Sequence, residues 1–197
     1  MNRLSAALLA VLLVSPAFAY TFDDVKITEW FGSDDGANQA VCVVTFEEPG
    51  FVAAPGASFA FGYRWDGDLT VTDMLNDLNG VHGLTVKILM HDLYGAFLNG
   101  IVMSESLAIG SLTVDYPDPS PYLWLSNDGE NWAAAPFGVQ GVSIANNEFY
   151  GFTAAYYDWI NDATTTYAPA TPTIPEPATM SLLAVATLGL LKRRTSR

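Results

Sequence analysis

His82 and His91 are the only imidazoles in the 197-residue chain, and imidazole is the side chain most often used to shuttle protons or hold transition metals near neutral pH. His82 follows the Asn79-Gly80 pair and His91 precedes Asp92, so a zinc-type site would need carboxylates brought from elsewhere; the pattern reads first as two solvated histidines. Asp34-Asp35-Gly36, Asp66-Gly67-Asp68 and Asp128-Gly129-Glu130 offer oxygen ligands of the kind calcium takes, but none has the loop spacing of an EF-hand. Asp-Gly pairs form turns before they form ligand sets, and no metal is assigned. Motifs for nucleophilic, metalloprotease or phosphate-loop chemistry (Gly-x-Ser-x-Gly, His-Glu-x-x-His) are missing from the sequence, and no spacing singles out a glycosidase pair among the carboxylates. The chain therefore reads as non-enzymatic, with no catalytic residue and no cofactor. Its aromatic side chains are the better functional feature, because Trp and Tyr faces stack on sugar rings. Of the tryptophans, Trp65, Trp124 and Trp132 fall in strand or hairpin patterns and read as core, while Trp30 and Trp159, near the edges of the domain, are the candidates for ligand stacking.

Charge narrows the partners. Between Tyr20 and Ile174 three cations (Lys26, Arg64, Lys87) face twenty acids, a net charge near −17. Such a body repels nucleic acid and anionic lipid, which excludes both as partners. It suits solubility outside the cell and would attract cations or a cationic polymer. The single cysteine, Cys42, lies in Val41-Cys42-Val43-Val44 and reads as a small buried hydrophobe, so no internal disulfide framework exists.

The elements that would position these residues are mostly strands. Val41 to Phe46 is a run rich in β-branched residues. Ser58 to Trp65 alternates, with Phe59, Phe61, Tyr63 and Trp65 on one face. The next segment has Val71, Met74, Leu75 and Leu78 at helical spacing, which predicts an amphipathic helix over about 71–79, capped by Thr70 with Asp73 and stopped at Asn79-Gly80. That helix is expected to cover the aromatic face. Period two returns at Leu84, Val86, Ile88 and Met90, and Asn99-Gly100 is a tight-hairpin signal. Leu107 to Val114, Tyr122 to Ser126, Val139 to Ile144 and Phe149 to Tyr156 complete the set of expected strands, with Asn146-Asn147 as a turn. The expected class is α+β, mostly antiparallel β with one short helix. This order over residues 58 to 155, with Tyr94-Gly95-x-Phe97 and Tyr122-Leu123-Trp124-Leu125-Ser126-x-Asp128-Gly129-x-x-Trp132, resembles a recurring extracellular bacterial domain and the small α+β carboxyl-terminal domain of transcobalamin-like proteins. No residue carries over as a cobalamin contact.

Both ends carry addresses. Arg3, the apolar stretch Leu4 to Val14 and Ala17-Phe18-Ala19 form a signal peptide over residues 1–19, with cleavage after Ala19 and a mature chain from Tyr20. At the other end, residues 162–174 are rich in Thr, Ala and Pro and read as an extended spacer after a body of residues 20–161. Then come Pro175-Glu176-Pro177, an apolar run over 178–191, and a basic tail over 192–197 that begins Lys192-Arg193-Arg194. The run spans about 21 Å as a helix, against a hydrocarbon core of roughly 30 Å, and the cations hold its carboxyl end on the cytoplasmic side.

Proline pair, apolar helix and basic stop, in that order over residues 175–197, resemble the PEP-CTERM sorting signal of exported bacterial proteins. The resemblance implies transient recognition by a membrane-embedded exosortase, removal of the tail, and a host that makes exopolysaccharide, itself a candidate partner. It implies export across the inner membrane to the cell surface or extracellular matrix, with membrane contact only through the carboxyl-terminal helix before processing. The expected function is a non-catalytic surface or matrix protein, with a carbohydrate- or small-ligand-binding module as the alternative and a polysaccharide hydrolase third.

Overall fold

The computed structural model describes residues 21–46, 58–92, 95–136, 138–158 and 160–174. Strand β1 (Ile27–Gly32) is followed by β2 (Asn38–Thr45), β3 (Ser58–Trp65), the helix α1 (Val71–Leu78), β4 (Thr85–His91), β5 (Gly95–Ser104), β6 (Leu107–Gly110), β7 (Ser120–Ser126), β8 (Ala133–Ala134), β9 (Phe149–Asp158) and β10 (Ala163–Thr166). The larger sheet runs β1-β3-β2-β9-β7-β8, with β10 paired to the far half of β9, and the smaller sheet is the meander β4-β5-β6.

The expected α+β class is overturned: the protein is essentially all-β. Among the described residues α1 is the sole α-helix, and it is eight residues long. It makes no layer of its own. Val71, Met74, Leu75 and Leu78 are all fully buried in the core that the two sheets share with it, alongside Phe61 and Tyr63 of β3, Tyr150 and Phe152 of β9, and Ile101 and Ile109 of the smaller sheet. Local periodicity identifies the helix correctly, but class depends on how many elements build each layer. The pairing is also less antiparallel than expected, since β1 with β3 and β2 with β9 run parallel.

Helix α1 forms where its sequence directs. The Thr70 backbone N–H donates to Asp73 Oδ2 at 2.9 Å and the Asp73 N–H donates to Thr70 Oγ1 at 3.3 Å, a reciprocal capping box. Gly80, at φ 95°, turns the chain away after it.

Four strand readings change. Asn99-Gly100 is not a hairpin turn; both residues lie inside β5, and Gly100 is there because a Cβ would stand 2.7 Å from the Ser111 carbonyl oxygen. The strand expected over Leu107 to Val114 stops at Gly110, which sits at φ 73°. Val139 to Ile144 contributes only an isolated bridge from Ser143 to Thr70. Edge strands β1 and β10 were not expected, because their exposed faces give no apolar alternation.

The second face of the larger sheet is closed by the two ends of the described chain. Val25, Val41, Val43, Ala60 and Phe149 are buried there, with Phe22, Ile27 and Trp132 packed around them. Of the 162–174 stretch, read from sequence as a spacer, Ala163–Thr166 is β10, and the following segment lies on this face with Pro169 buried. The segment is folded because its backbone is paired: Lys26 N donates to Pro172 O at 2.9 Å, Ile174 N donates to Asp24 O at 2.8 Å, and Ala170 N donates to Thr45 Oγ1 at 3.1 Å. Composition alone hides this, because each proline interrupts a periodicity that the pairing does not need.

Candidate functional site

Asn99 is a buried asparagine in β5, 3% exposed, and its whole side chain is turned to one loop. Its Nδ2 donates to the carbonyls of Ser111 at 2.6 Å and Val114 at 2.9 Å, and its Oδ1 accepts the Tyr116 N–H at 3.1 Å. The Ser111 hydroxyl oxygen accepts in turn from the backbone of Thr113 and Val114. Residues 111–116 are thereby pinned to a strand, although the loop itself is exposed. The loop holds Tyr116 at φ 54°, a left-handed backbone that a bulky residue rarely adopts, with its side chain 63% exposed.

Tyr116 stands at the mouth of a cleft of about 460 Å³ where β5 of the smaller sheet faces the starts of β7 and the 117–121 loop of the larger one. Phe97 and Tyr157 supply two more rings, Pro117 and Pro121 supply apolar wall, and Asp118 supplies a carboxylate. Phe97 meets Tyr116 edge-on, with ring centroids 6.4 Å apart, and His91 also meets Phe97 edge-on at 6.2 Å. Tyr157 donates its hydroxyl hydrogen to Asp162, which fixes that ring against the β9–β10 turn. A smaller pocket of about 210 Å³ continues the cleft past Leu98 and Tyr122 toward Val139. Among the described residues, no Lys or Arg lines either part.

The sequence-derived candidates fall elsewhere. Trp30 is on β1, at the opposite edge of the larger sheet, with three strands between it and β7, a separation of roughly 19 Å at the usual interstrand spacing. Its ring is 39% exposed; one part lies over Gly62, where a Cβ would overlap it, and the Arg64 guanidinium sits 4.3 Å from the ring centroid. Trp65 is buried and stacked on Tyr63, and Trp124 donates its indole N–H to Thr153 Oγ1 at 2.8 Å. Trp159 lies outside the described residues, as do Ala17 and Ala19, the sorting residues Pro175, Glu176, Pro177, Lys192, Arg193 and Arg194, and the apolar run between them. The cleft aromatics were passed over because Tyr116 and Tyr157 carry no mark in the sequence; the Pro-rich run 117–121 is the nearest signal to them.

Three of the groups weighed for metal binding have other partners. His82 Nδ1 lies 3.5 Å from Glu29 Oε2, and its ring packs against both Phe59 and Phe61. Asp66 accepts the Ala37 N–H at 3.0 Å. Asp128 accepts from the Asn131 side-chain amide and from the backbone of Asn131 and Glu130, and these bonds hold its carboxyl far below the usual range. Among the described residues, no three His, Cys, Asp or Glu side chains gather as a metal would require. Burial pushes the Cys42 thiol far up, which leaves it un-ionised and inert within the sheet.

Fold and site together define a small acidic all-β domain with an aromatic cleft. Residues 173–197 match the PEP-CTERM protein-sorting motif. That motif implies recognition by exosortase and export to the cell surface or extracellular space. No curated protein and no solved structure matches it, so the likeness to transcobalamin-like domains has no support. Among the described residues no helix is long and apolar enough to cross a membrane.

Proposed function

We propose that the protein is a non-catalytic component of the cell surface or its exopolysaccharide matrix, delivered through an amino-terminal signal peptide cleaved after Ala19 and released when exosortase removes the carboxyl-terminal tail. The observation that carries this reading is the sorting motif at residues 173–197. Its first two residues are part of the folded body: Thr173 bridges Val25, and Ile174 donates to the Asp24 carbonyl. These antiparallel contacts bring the chain just after the expected cleavage point and just before Pro175 out of the body at one spot. In the precursor, both apolar ends would engage the membrane from that spot, which gives the body one membrane-proximal side. After processing, what remains is a soluble domain whose carboxylates outnumber its cations and which carries a cleft lined by aromatic rings rather than by a set of convergent acid-base groups.

Intact mass of the surface protein tests both ends at once, measured from a host with exosortase and from the same host without it. The expected product begins at Tyr20 in both hosts and lacks the apolar run and Lys192 to Arg197 only where exosortase is present. Replacing Pro175, Glu176 and Pro177 together with alanine is expected to keep the tail on. Full-length tail on the outer surface of both hosts would make the run an ordinary anchor and refute the reading.

A further inference from the structure

We infer that the cleft between β5 and the β7 edge is a binding site for a polysaccharide bearing free amino sugars. This goes deeper into the proposed matrix role and rests on it for the source of the glycan, but the binding chemistry stands on the cleft alone. Three aromatic rings at one concavity, Phe97, Tyr116 and Tyr157, offer apolar faces that match the C–H faces of pyranose rings, and the cleft volume of about 460 Å³ falls within the roughly 300–1,000 Å³ of small-ligand pockets.

The hydrogen bonding of Asn99 is the sign that the site is built. A buried asparagine commits both ends of its amide to hold residues 111–116, and the product of that effort is a tyrosine kept 63% exposed in a left-handed conformation. An exposed tyrosine contributes little to folding, so a strained backbone maintained for it points to a surface where the ring is used.

Charge selects the ligand class. Asp118 lines the cleft, and Asp158 and Asp162 stand beside Tyr157 in the β9–β10 turn. Among the described residues, Lys87 near the loop is paired with Asp115 at 2.7 Å, while Arg64 is committed to Trp30 across the sheet. Uronate, sulfate and phosphate polymers are therefore repelled, whereas an ammonium gains from both the carboxylates and the tyrosine faces.

Position fits an extracellular ligand. Phe22, near the point where the chain ends leave the body, packs on Phe149 at the start of β9 with ring centroids 5.3 Å apart. Tyr157 is eight residues further along the same strand, roughly 26 Å away at about 3.3 Å per residue. The cleft thus opens at the end of the body opposite its membrane tether.

The test is calorimetric titration of the mature exported protein with glucosamine hexamer, N-acetylglucosamine hexamer and guluronate hexamer. Binding is expected for the glucosamine oligomer, weakening with salt and at least tenfold tighter than for the N-acetylated one, with none for the uronate. Tyr116→Asn, which removes the ring but suits the left-handed backbone, should weaken binding at least tenfold at unchanged Tm, and Tyr116→Phe should bind as the native protein does. Asp118→Asn should reduce the salt dependence. No binding by any oligomer, equal binding of the N-acetylated or uronate oligomer, or native affinity in Tyr116→Asn would each overturn the inference. A negative titration leaves the sorting reading standing, because that is decided by mass.

Discussion

Gly151 in β9 tests whether the segment before the sorting motif belongs to the folded body. A Cβ at this position would overlap Pro169 Cγ and lie 2.9 Å from Trp132 Cζ3, well inside the carbon–carbon contact distance of about 3.5–4.0 Å. The Pro169 ring is buried and cannot yield without lifting the irregular segment that carries it. Gly151→Ala is therefore an overpacking change, expected to cost about 2 kcal/mol, or a fall in Tm of roughly 8 °C for a domain of this size. In a Pro169→Ala background the overlapping Cγ is gone, and the contacts left are Trp132 Cζ3 at 2.9 Å and the residue-169 Cβ at 3.0 Å. The same glycine change should then cost less, a coupling of about 1 kcal/mol between the two sites. The assay is thermal and urea unfolding of the four proteins of the cycle, with limited proteolysis of residues 167–174 as a second readout. Cleavage within that segment should accelerate in Gly151→Ala alone. An unchanged Tm in Gly151→Ala, or the same loss in both backgrounds, would show that Pro169 does not rest on β9 and that the stretch is a free spacer after all.

Leu75→Asp places a charge on the fully buried stripe of α1 and is expected to cost on the order of 3–5 kcal/mol, read as loss of the cooperative unfolding transition; native-like melting would contradict the packing of α1. Stability should also fall on the acid side. The carboxyls of Asp128, Asp73, Asp158 and Asp24 are all lowered by hydrogen bonds they accept, led for Asp128 by the Asn131 side-chain amide and for Asp73 by the Thr70 hydroxyl. A depressed folded-state value means that the contribution is complete above the unfolded carboxylate value of about 4 and is lost as pH falls through the folded value. Urea midpoints should be flat from about pH 7 to 5 and drop below about pH 4. Asp128→Ala should be less stable at neutral pH with a shallower acid drop, and an equally steep drop in that variant would refute the assignment.

The sequence by itself determined the local and the linear features. Thr70 and Asp73 fix the start of α1, Gly80 fixes its end, and the Phe59-Phe61-Tyr63-Trp65 alternation fixes which face of β3 meets α1 and the smaller sheet, because capping, left-handed turns and period-two patterning all act within a few residues. The sorting motif is equally linear, a string that an enzyme reads in order. Only the tertiary structure decided the rest. Asn99-Gly100 has the composition of a hairpin turn, but the approach of Ser111 and the loop tethered by Asn99 keep it inside a strand. The 162–174 stretch has the composition of a spacer, but its free N–H and C=O groups find partners in Asp24, Lys26 and Thr45. The aromatic cleft joins Phe97, Tyr116 and Tyr157 from two sheets, and no spacing along the chain encodes that meeting, because strand order and sheet-on-sheet packing are settled by the burial of whole faces rather than by neighbouring residues.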